Sequence, residues 1–386
     1  MRRVVITGIG AVSPLGNTFK KSWDSLKSGI SGIGMHGLNI KGAWRSAGML
    51  KDFHAEEFLS IKEINRLDPF IHYAVSASIM AVNDAGLKGK SLSSSGVLIG
   101  SSRGGISHLE RALKGTVSAY LMPFTTIGMA GSYVAQRLSI KGSSLGISNS
   151  CASGANAIGE AYRAIKHTIL DIVLAGASEA PICLLAIEGY GRAGALSRQG
   201  KMMPFDRERD GFILSEGSCV LVLEEYESAL KRGAKPYAEV IGYACTVDAF
   251  HETRPSIAGQ ADAMKKALLD SGLNPEDIDY INAHATATLI GDKTEAEAIC
   301  AVFKKTISIT ANKSMTGHML GASGALEAGF TAMSLVESII PPTINLKETE
   351  FELDFVTEQR KANIKTAISN SFGFGGVNAV LVLRKL

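Results

Sequence analysis

The chain is 386 residues long, more than one small core needs, and the length fits roughly two or three domains. With 46% hydrophobic and 20% charged residues it is a well-buried globular protein, which excludes a disordered one. A formal charge of +3, with no basic run interleaved with aromatics, is too small to argue for nucleic-acid binding, and leaves room for a local basic patch facing an acidic partner.

Short apolar runs bounded by glycine or serine recur along the chain and read as buried strands: 4–10, 96–102, 145–150, 171–178, 219–225, 279–284, 307–310 and 379–383. The first, in MRRVVITGIGAVSPLG, fits a strand and turn better than a signal peptide, because its apolar run is short and broken by Thr7 and glycines. Helical patterns alternate with the strands. Residues 68–86 open on an Asp cap followed by Pro and close on Gly. Residues 153–167 and 259–272 carry apolar positions at three- and four-residue spacing, and 321–338 is apolar nearly all round, as in a buried helix. This alternation predicts an α/β layered fold with a seam at KRGAKP, 231–236. No stretch is long and apolar enough to span a membrane. Five scattered cysteines (Cys151, Cys183, Cys219, Cys245, Cys300) form no CxxC pair, so reduced thiols in the cytoplasm and no metal site are expected.

Three polar residues stand at passages from strand to helix. Cys151 lies in LGISNSCASGANAIGEAYRAI, flanked by small residues that leave its sulfur open to close approach. A helix N-terminus there would favour the thiolate. A lone thiol is equally at home as a small core residue, so its reading depends on its company. His284 ends the run DYINAH before a polar turn; alone it reads as a satisfied strand-end histidine. His318 lies in NKSMTGHMLGASGALEAG with Lys313 just before it and Glu327 after it, a set costly to bury without purpose. The segment ISNSFGFGGVNAVLVL holds three glycines around Phe374. It is either a plain hairpin or a loop whose N–H groups face an oxyanion while the Phe covers a tunnel. Neither GxGxxG in a strand–helix context nor GxSxG is present, which disfavours a nicotinamide enzyme and an α/β-hydrolase.

Taken with PFDRERDGFILSEGS at 204–218, VLEEYESALKRGAKPYAEV at 222–240, VDAFHETRP at 247–255 and PPTINL, these segments resemble, in order and spacing over essentially the whole chain, the ketoacyl synthase family. The nearest resemblance is to the elongating β-ketoacyl-acyl-carrier-protein synthases of type II fatty acid synthesis. It implies a thiolase-like five-layered α-β-α-β-α fold of two similar halves, 1–233 with the cysteine and 234–386 with the histidines. The implied reaction is decarboxylative condensation of a malonyl thioester with an acyl chain held on Cys151.

The resemblance also implies a role for each residue. His284 and His318 donate hydrogen bonds to the enolate, and the backbone N–H groups of Cys151 and Phe374 form the oxyanion hole. Lys313 keeps the imidazoles neutral, with Glu295 as its carboxylate partner and Asp292 nearby. Thr286 and Thr288 hold the phosphopantetheine arm, and Phe372 and Phe374 line the substrate path. Lys62 and Arg66 receive the acidic acyl carrier protein. No cofactor is implied beyond the carrier's phosphopantetheine, apart from a structural monovalent cation at Asn282, Glu327, Ser369 and Asn370. A cytoplasmic homodimer joined through the first half, without membrane or nucleic-acid partners, is expected. Some positions depart from the family pattern: HGTST reads HATAT at 284–288, Ser150 precedes the cysteine where alanine is commoner, and Met203 stands where a basic residue often precedes the proline. Two rivals remain. A non-catalytic chain-length partner of a heterodimeric ketosynthase lacks the cysteine retained here, and a thiolase needs a second late cysteine that NSFGFGGVN lacks.

Overall fold

The computed structural model describes every residue except Lys41, Ala43, Thr116 and Lys305. The first half contributes strands β1 (Val4–Val12), β2 (Gly96–Gly100), β3 (Ser144–Ile147), β4 (Ile172–Glu179) and β5 (Gly217–Glu225). The second contributes β6 (Ala238–Val247), β7 (Tyr280–Asn282), β8 (Ser308–Thr310), β9 (Asp354–Phe355), β10 (Thr366–Gly373) and β11 (Val377–Arg384). Hydrogen bonds join them in the order β9-β8-β7-β10-β11-β6-β1-β5-β4-β2-β3.

The two halves repeat one pattern. In the first, β1 and β5 pair antiparallel, β5 and β4 antiparallel, and β4, β2 and β3 run parallel. In the second, β6 and β11, then β11 and β10, pair antiparallel, while β10, β7 and β8 run parallel. Where the halves meet, β1 touches β6 only along Val4–Ile6 against Ala238–Val240.

Six helices fill the layers: α1 (Pro69–Asp84), α2 (Gly128–Leu138), α3 (Ser153–Lys166), α4 (Ile257–Ser271), α5 (Leu289–Val302) and α6 (Ser323–Glu337). Helices α1 and α2 cover the outer face of the first half's strands, α4 and α5 that of the second half's, and α3 and α6 lie between the two halves. The order is therefore α-β-α-β-α. Strand side chains alternate between cores with period two. Along β5, Cys219, Leu221 and Leu223 face the central core while Val220 and Val222 face the outer one. On β11, Ala379, Leu381 and Leu383 face the centre while Val380 and Val382 face outward. With both faces covered, these strands read as unbroken apolar runs. Asp68 caps α1 by accepting from Phe70 N at 3.1 Å, and Pro69 follows. Helix α1 lies directly on β1, because a Cβ at Gly10 would stand 2.0 Å from the Ala77 carbonyl. Helix α6 is buried along nearly its whole length.

Candidate active site

The nucleophile candidate sits where β3 passes into α3. Asn149 N donates to Ser153 Oγ at 2.9 Å, and Ser150 takes a left-handed φ of 49°. This short turn lifts Cys151 to the start of α3. The second half builds the same turn between β8 and α6. Met319 N donates to Ser323 Oγ at 2.9 Å, and Leu320 has φ 46°. The sequence marks the pair by ASGA at 152–155 and again at 322–325, with Gly321 standing where Cys151 does.

His318 is fixed by its backbone: its N–H donates to Ile213 O at 2.7 Å, and its carbonyl accepts from Ser215 N at 2.9 Å. The Phe212 ring packs edge-on against the imidazole, 5.0 Å between centroids. The motif around 204–218 thus serves to hold His318. Its Nε2 lies 3.0 Å from Cys151 Sγ, and its Nδ1 lies 3.2 Å from Ser323 Oγ. Because that hydroxyl already accepts from Met319, its own proton is free to go to Nδ1, which leaves the imidazole N–H on Nε2, toward the sulfur. His284 follows β7 by two residues, its ring 5.5 Å from that of His318 and 5.9 Å from Phe372, both edge-on. Burial and the charge of Lys313 hold both imidazoles well below the usual histidine range.

Lys313 is fully buried and pairs with Glu327, Nζ to Oε1 at 2.6 Å. The expected partner, Glu295, is instead the anchor of the His284 turn: it accepts from His284 N at 2.8 Å, Ala285 N at 2.7 Å and Asn370 Nδ2 at 3.1 Å. Those bonds satisfy the carboxylate where it stands, while Glu327 on α6 faces the ammonium. Asp292 is also occupied, accepting from Phe205 N at 2.7 Å, and burial pushes its carboxyl up to about 7. In HATAT, Ala285 and Ala287 hold positive φ values of 35° and 61°, a strain that glycine would relieve at the first position.

The expected thiolate at Cys151 is corrected by its surroundings. Burial pushes the thiol up to about 11, opposed by Lys313, Arg103 and the Phe374 N–H, and reinforced by Glu179. The resting sulfur is a thiol whose negative charge the site can support only as it forms. Glu179, at the end of β4, was not singled out from the sequence; its only signal there is a carboxylate closing an apolar run. It accepts from Ser101 Oγ at 3.1 Å, Ser102 Oγ at 2.7 Å and Gly321 N at 3.2 Å, so it ties the loop after β2 to the turn before α6.

A cavity of about 450 Å3 opens onto Cys151, His284 and His318. Tyr190, Phe212, Leu320 and Phe372 line it. Thr286, Thr288, Arg254 and Ile290 line it too, and Phe374, 37% exposed, joins them. Thr286 and Thr288 stand 3.2 Å apart at Oγ1, the latter also capping α5 through Gly291 N. Arg66 donates to Tyr133 Oη and lies over the rings of Tyr120 and Phe124. Lys62, on the same short helix, is exposed.

Among the described residues, no group of three or more His, Cys, Asp or Glu side chains is placed to hold a metal ion. The oxygens named for a monovalent cation do fit one. Asn282 Oδ1, Glu327 Oε2, Ser369 Oγ and Asn370 Oδ1 are buried without hydrogen-bond partners, and Asn282 is in register with Ser369. No helix among the described residues is long and apolar enough to cross a membrane.

A sulfur next to an N–H-bearing imidazole, in a pocket where protons are withheld from both rings, can accept an acyl group and steady an enolate beside it. That chemistry, on this duplicated fold, defines a cysteine-dependent condensing acyltransferase. Residues 1–229 match the β-ketoacyl synthase N-terminal domain and residues 237–347 its C-terminal domain. The chain is 43% identical to the 3-oxoacyl-[acyl-carrier-protein] synthase 2 of Synechocystis sp., over all of this chain and 98% of that one. It is 39% identical to that of Vibrio harveyi, over all of this chain and 99% of that one. Among solved structures it superposes on the ishigamide ketosynthase/chain length factor with TM-score 0.96 at 33% identity, covering all of this chain and 99% of that one. A β-ketoacyl synthase from Burkholderia phymatum gives 0.94 at 34%, with both chains fully covered. The chain belongs to the β-ketoacyl synthase family.

Proposed function

We propose that the protein extends acyl chains carried on an acyl carrier protein, by condensing an acyl group on Cys151 with a malonyl group on the carrier. The observation that carries this reading is the 3.0 Å approach of His318 Nε2 to Cys151 Sγ, with the second neutral imidazole alongside in the same cavity. The relatives named 3-oxoacyl-[acyl-carrier-protein] synthase 2 support the substrate class.

In the first step Cys151 sulfur attacks the acyl thioester, and its proton leaves with the departing pantetheine sulfur. The Phe374 N–H, already directed at that sulfur, and the Cys151 N–H face the tetrahedral oxyanion. In the second step the malonyl carboxylate leaves as carbon dioxide, and its bonding electrons pass to the thioester oxygen as an enolate. His284 and His318 donate to that oxygen. The enolate carbon then attacks the acyl carbonyl and expels the Cys151 thiolate, which takes up one proton. Products are a 3-oxoacyl-carrier, a free carrier thiol and carbon dioxide.

Thr286 and Thr288 serve the pantetheine arm, Phe372 and Phe374 the substrate path, and Lys62 the acidic carrier. Glu295 positions His284 through its backbone, and Lys313 keeps both rings neutral through its charge. Asn282, Glu327, Ser369 and Asn370 would hold a monovalent cation, whose chemistry is to add fixed positive charge behind the site. The halves 1–233 and 234–386 act as one unit, because each supplies part of the site. The chain-length-partner reading is disfavoured because Cys151 converges with both histidines.

The test is incubation of the purified protein with malonyl-carrier and an acyl-carrier. A 3-oxoacyl-carrier product and an acyl adduct on Cys151 are expected, both lost in Cys151→Ala while the fold is kept. Condensation at the original rate in that variant would overturn the reading.

A further inference from the structure

Tyr190, which lines the cavity, is paired with an exposed arginine, Arg103, and the mechanism uses neither. Tyr190 shares that lining with Cys151, Phe212 and Leu320. Arg103 Nε donates to its hydroxyl at 2.7 Å, and the guanidinium carbon lies 5.3 Å from the ring centroid. Phe212 braces the ring edge-on from the other direction, 5.6 Å between centroids, so the phenol has one fixed orientation. The carboxylate in the same neighbourhood is Glu179, and its bonds go to Ser101, Ser102 and Gly321 rather than to Arg103. Among the described residues the two Nη groups of Arg103 have no acceptor, so most of its donors are uncommitted. The charge is also felt at the nucleophile, where it favours the thiolate.

An acyl group on Cys151 that lies along the cavity meets Tyr190, and an end that passes the phenol reaches the guanidinium that holds its hydroxyl. A methyl end gains only the contact of the phenol ring, and it displaces water from a cation that receives nothing in exchange. A carboxylate end can accept two parallel N–H bonds from the planar fork, and a hydroxyl or carbonyl end can accept one. We propose that Arg103 and Tyr190 determine acyl specificity, favouring acyl thioesters whose distal end carries a carboxylate or another hydrogen-bond acceptor over plain alkyl chains. This rests on the condensing reading above.

The experiment compares acylation of Cys151, followed by intact mass, for two carrier-bound donors of equal length, one ending in methyl and one in carboxylate. Because the Arg103 side chain keeps contact with water, a preference of about tenfold for the carboxylate end is expected, the lower bound for a charge-assisted hydrogen bond. Arg103→Ile should erase or invert the preference, and Arg103→Lys should keep its sign at reduced size. The same ratio in the wild type and in Arg103→Ile would overturn the proposal. Failure of both donors to acylate Cys151 would instead sink the condensing reading, so the two failures are distinguishable.

Discussion

At the scale of single residues, the buried Lys313–Glu327 pair sets the protonation state on which the site depends. Burial and, after it, the ammonium depress both imidazoles, so the charge helps set where on the pH axis they become neutral donors. Lys313→Met should raise both imidazole pKa values. The protonated rings then persist to higher pH, and the acid limb of the pH profile of kcat/KM moves upward. Stability is a separate matter. Removing one partner of a buried pair strands the other and costs about 3–5 kcal/mol, whereas replacing both with apolar side chains costs little. The double variant Lys313→Met, Glu327→Leu should therefore recover most of the lost urea midpoint yet keep the displaced acid limb. An acid limb that stays in place in the double variant would remove Lys313 from the electrostatics of the site. The choice of Glu327 over Glu295 was not legible in the sequence. Both carboxylates lie on buried helices, and which one meets the ammonium depends on how α5 and α6 pack.

At the scale of elements, the site is an intersection of two equivalent turns, and their close approach depends on glycine. A Cβ at Gly154 would stand 2.5 Å from the Gly321 carbonyl and 2.9 Å from Ala325 N, both backbone atoms that cannot rotate away. At the equivalent Gly324 the nearest obstacle, at 2.5 Å, is the Ser371 hydroxyl, which can turn. Gly154→Ala should therefore cost about 1–3 kcal/mol by overpacking, and Gly324→Ala less. Since the displaced turn precedes α6 and follows His318, Gly154→Ala should also slow Cys151 acylation more than Gly324→Ala does. Equal effects in both variants, read by urea unfolding and single-turnover acylation, would contradict this account of the crossing. The elements themselves were legible because strands buried on both faces read as apolar runs. Their ends were less so: the run at 145–150 stops pairing at Ile147, because Asn149–Ala152 is spent on the turn that presents Cys151. The contacts of Arg66 were not legible either, because its aromatic partners come from the distant 120–133 segment.

At the scale of the whole molecule, the sheet has an unfinished side. One terminal strand, β9, ends its side of the sheet, whereas β3 at the other end is open along Ser144–Gly146, with Leu145 55% exposed. Helix α2 packs beside β3 and touches the 121–125 helix, which touches the 106–114 helix. Those segments expose Leu109, Leu113 and Met122. An open, apolar edge strand of this kind invites pairing with another strand. A second copy related by a two-fold axis can supply that strand by pairing β3 with itself antiparallel, which places each Leu145 near its counterpart. The protein should therefore sediment as a dimer, about twice the 40.8 kDa of one chain. Leu145→Glu sets like charges against each other across the axis and should shift the species toward monomer at micromolar concentration. Because β3 leads directly into the Cys151 turn, acylation should fall together with the dimer fraction as the protein is diluted. A monomeric wild type, or a monomeric variant with undiminished acylation, would break this link between the sheet edge and the site.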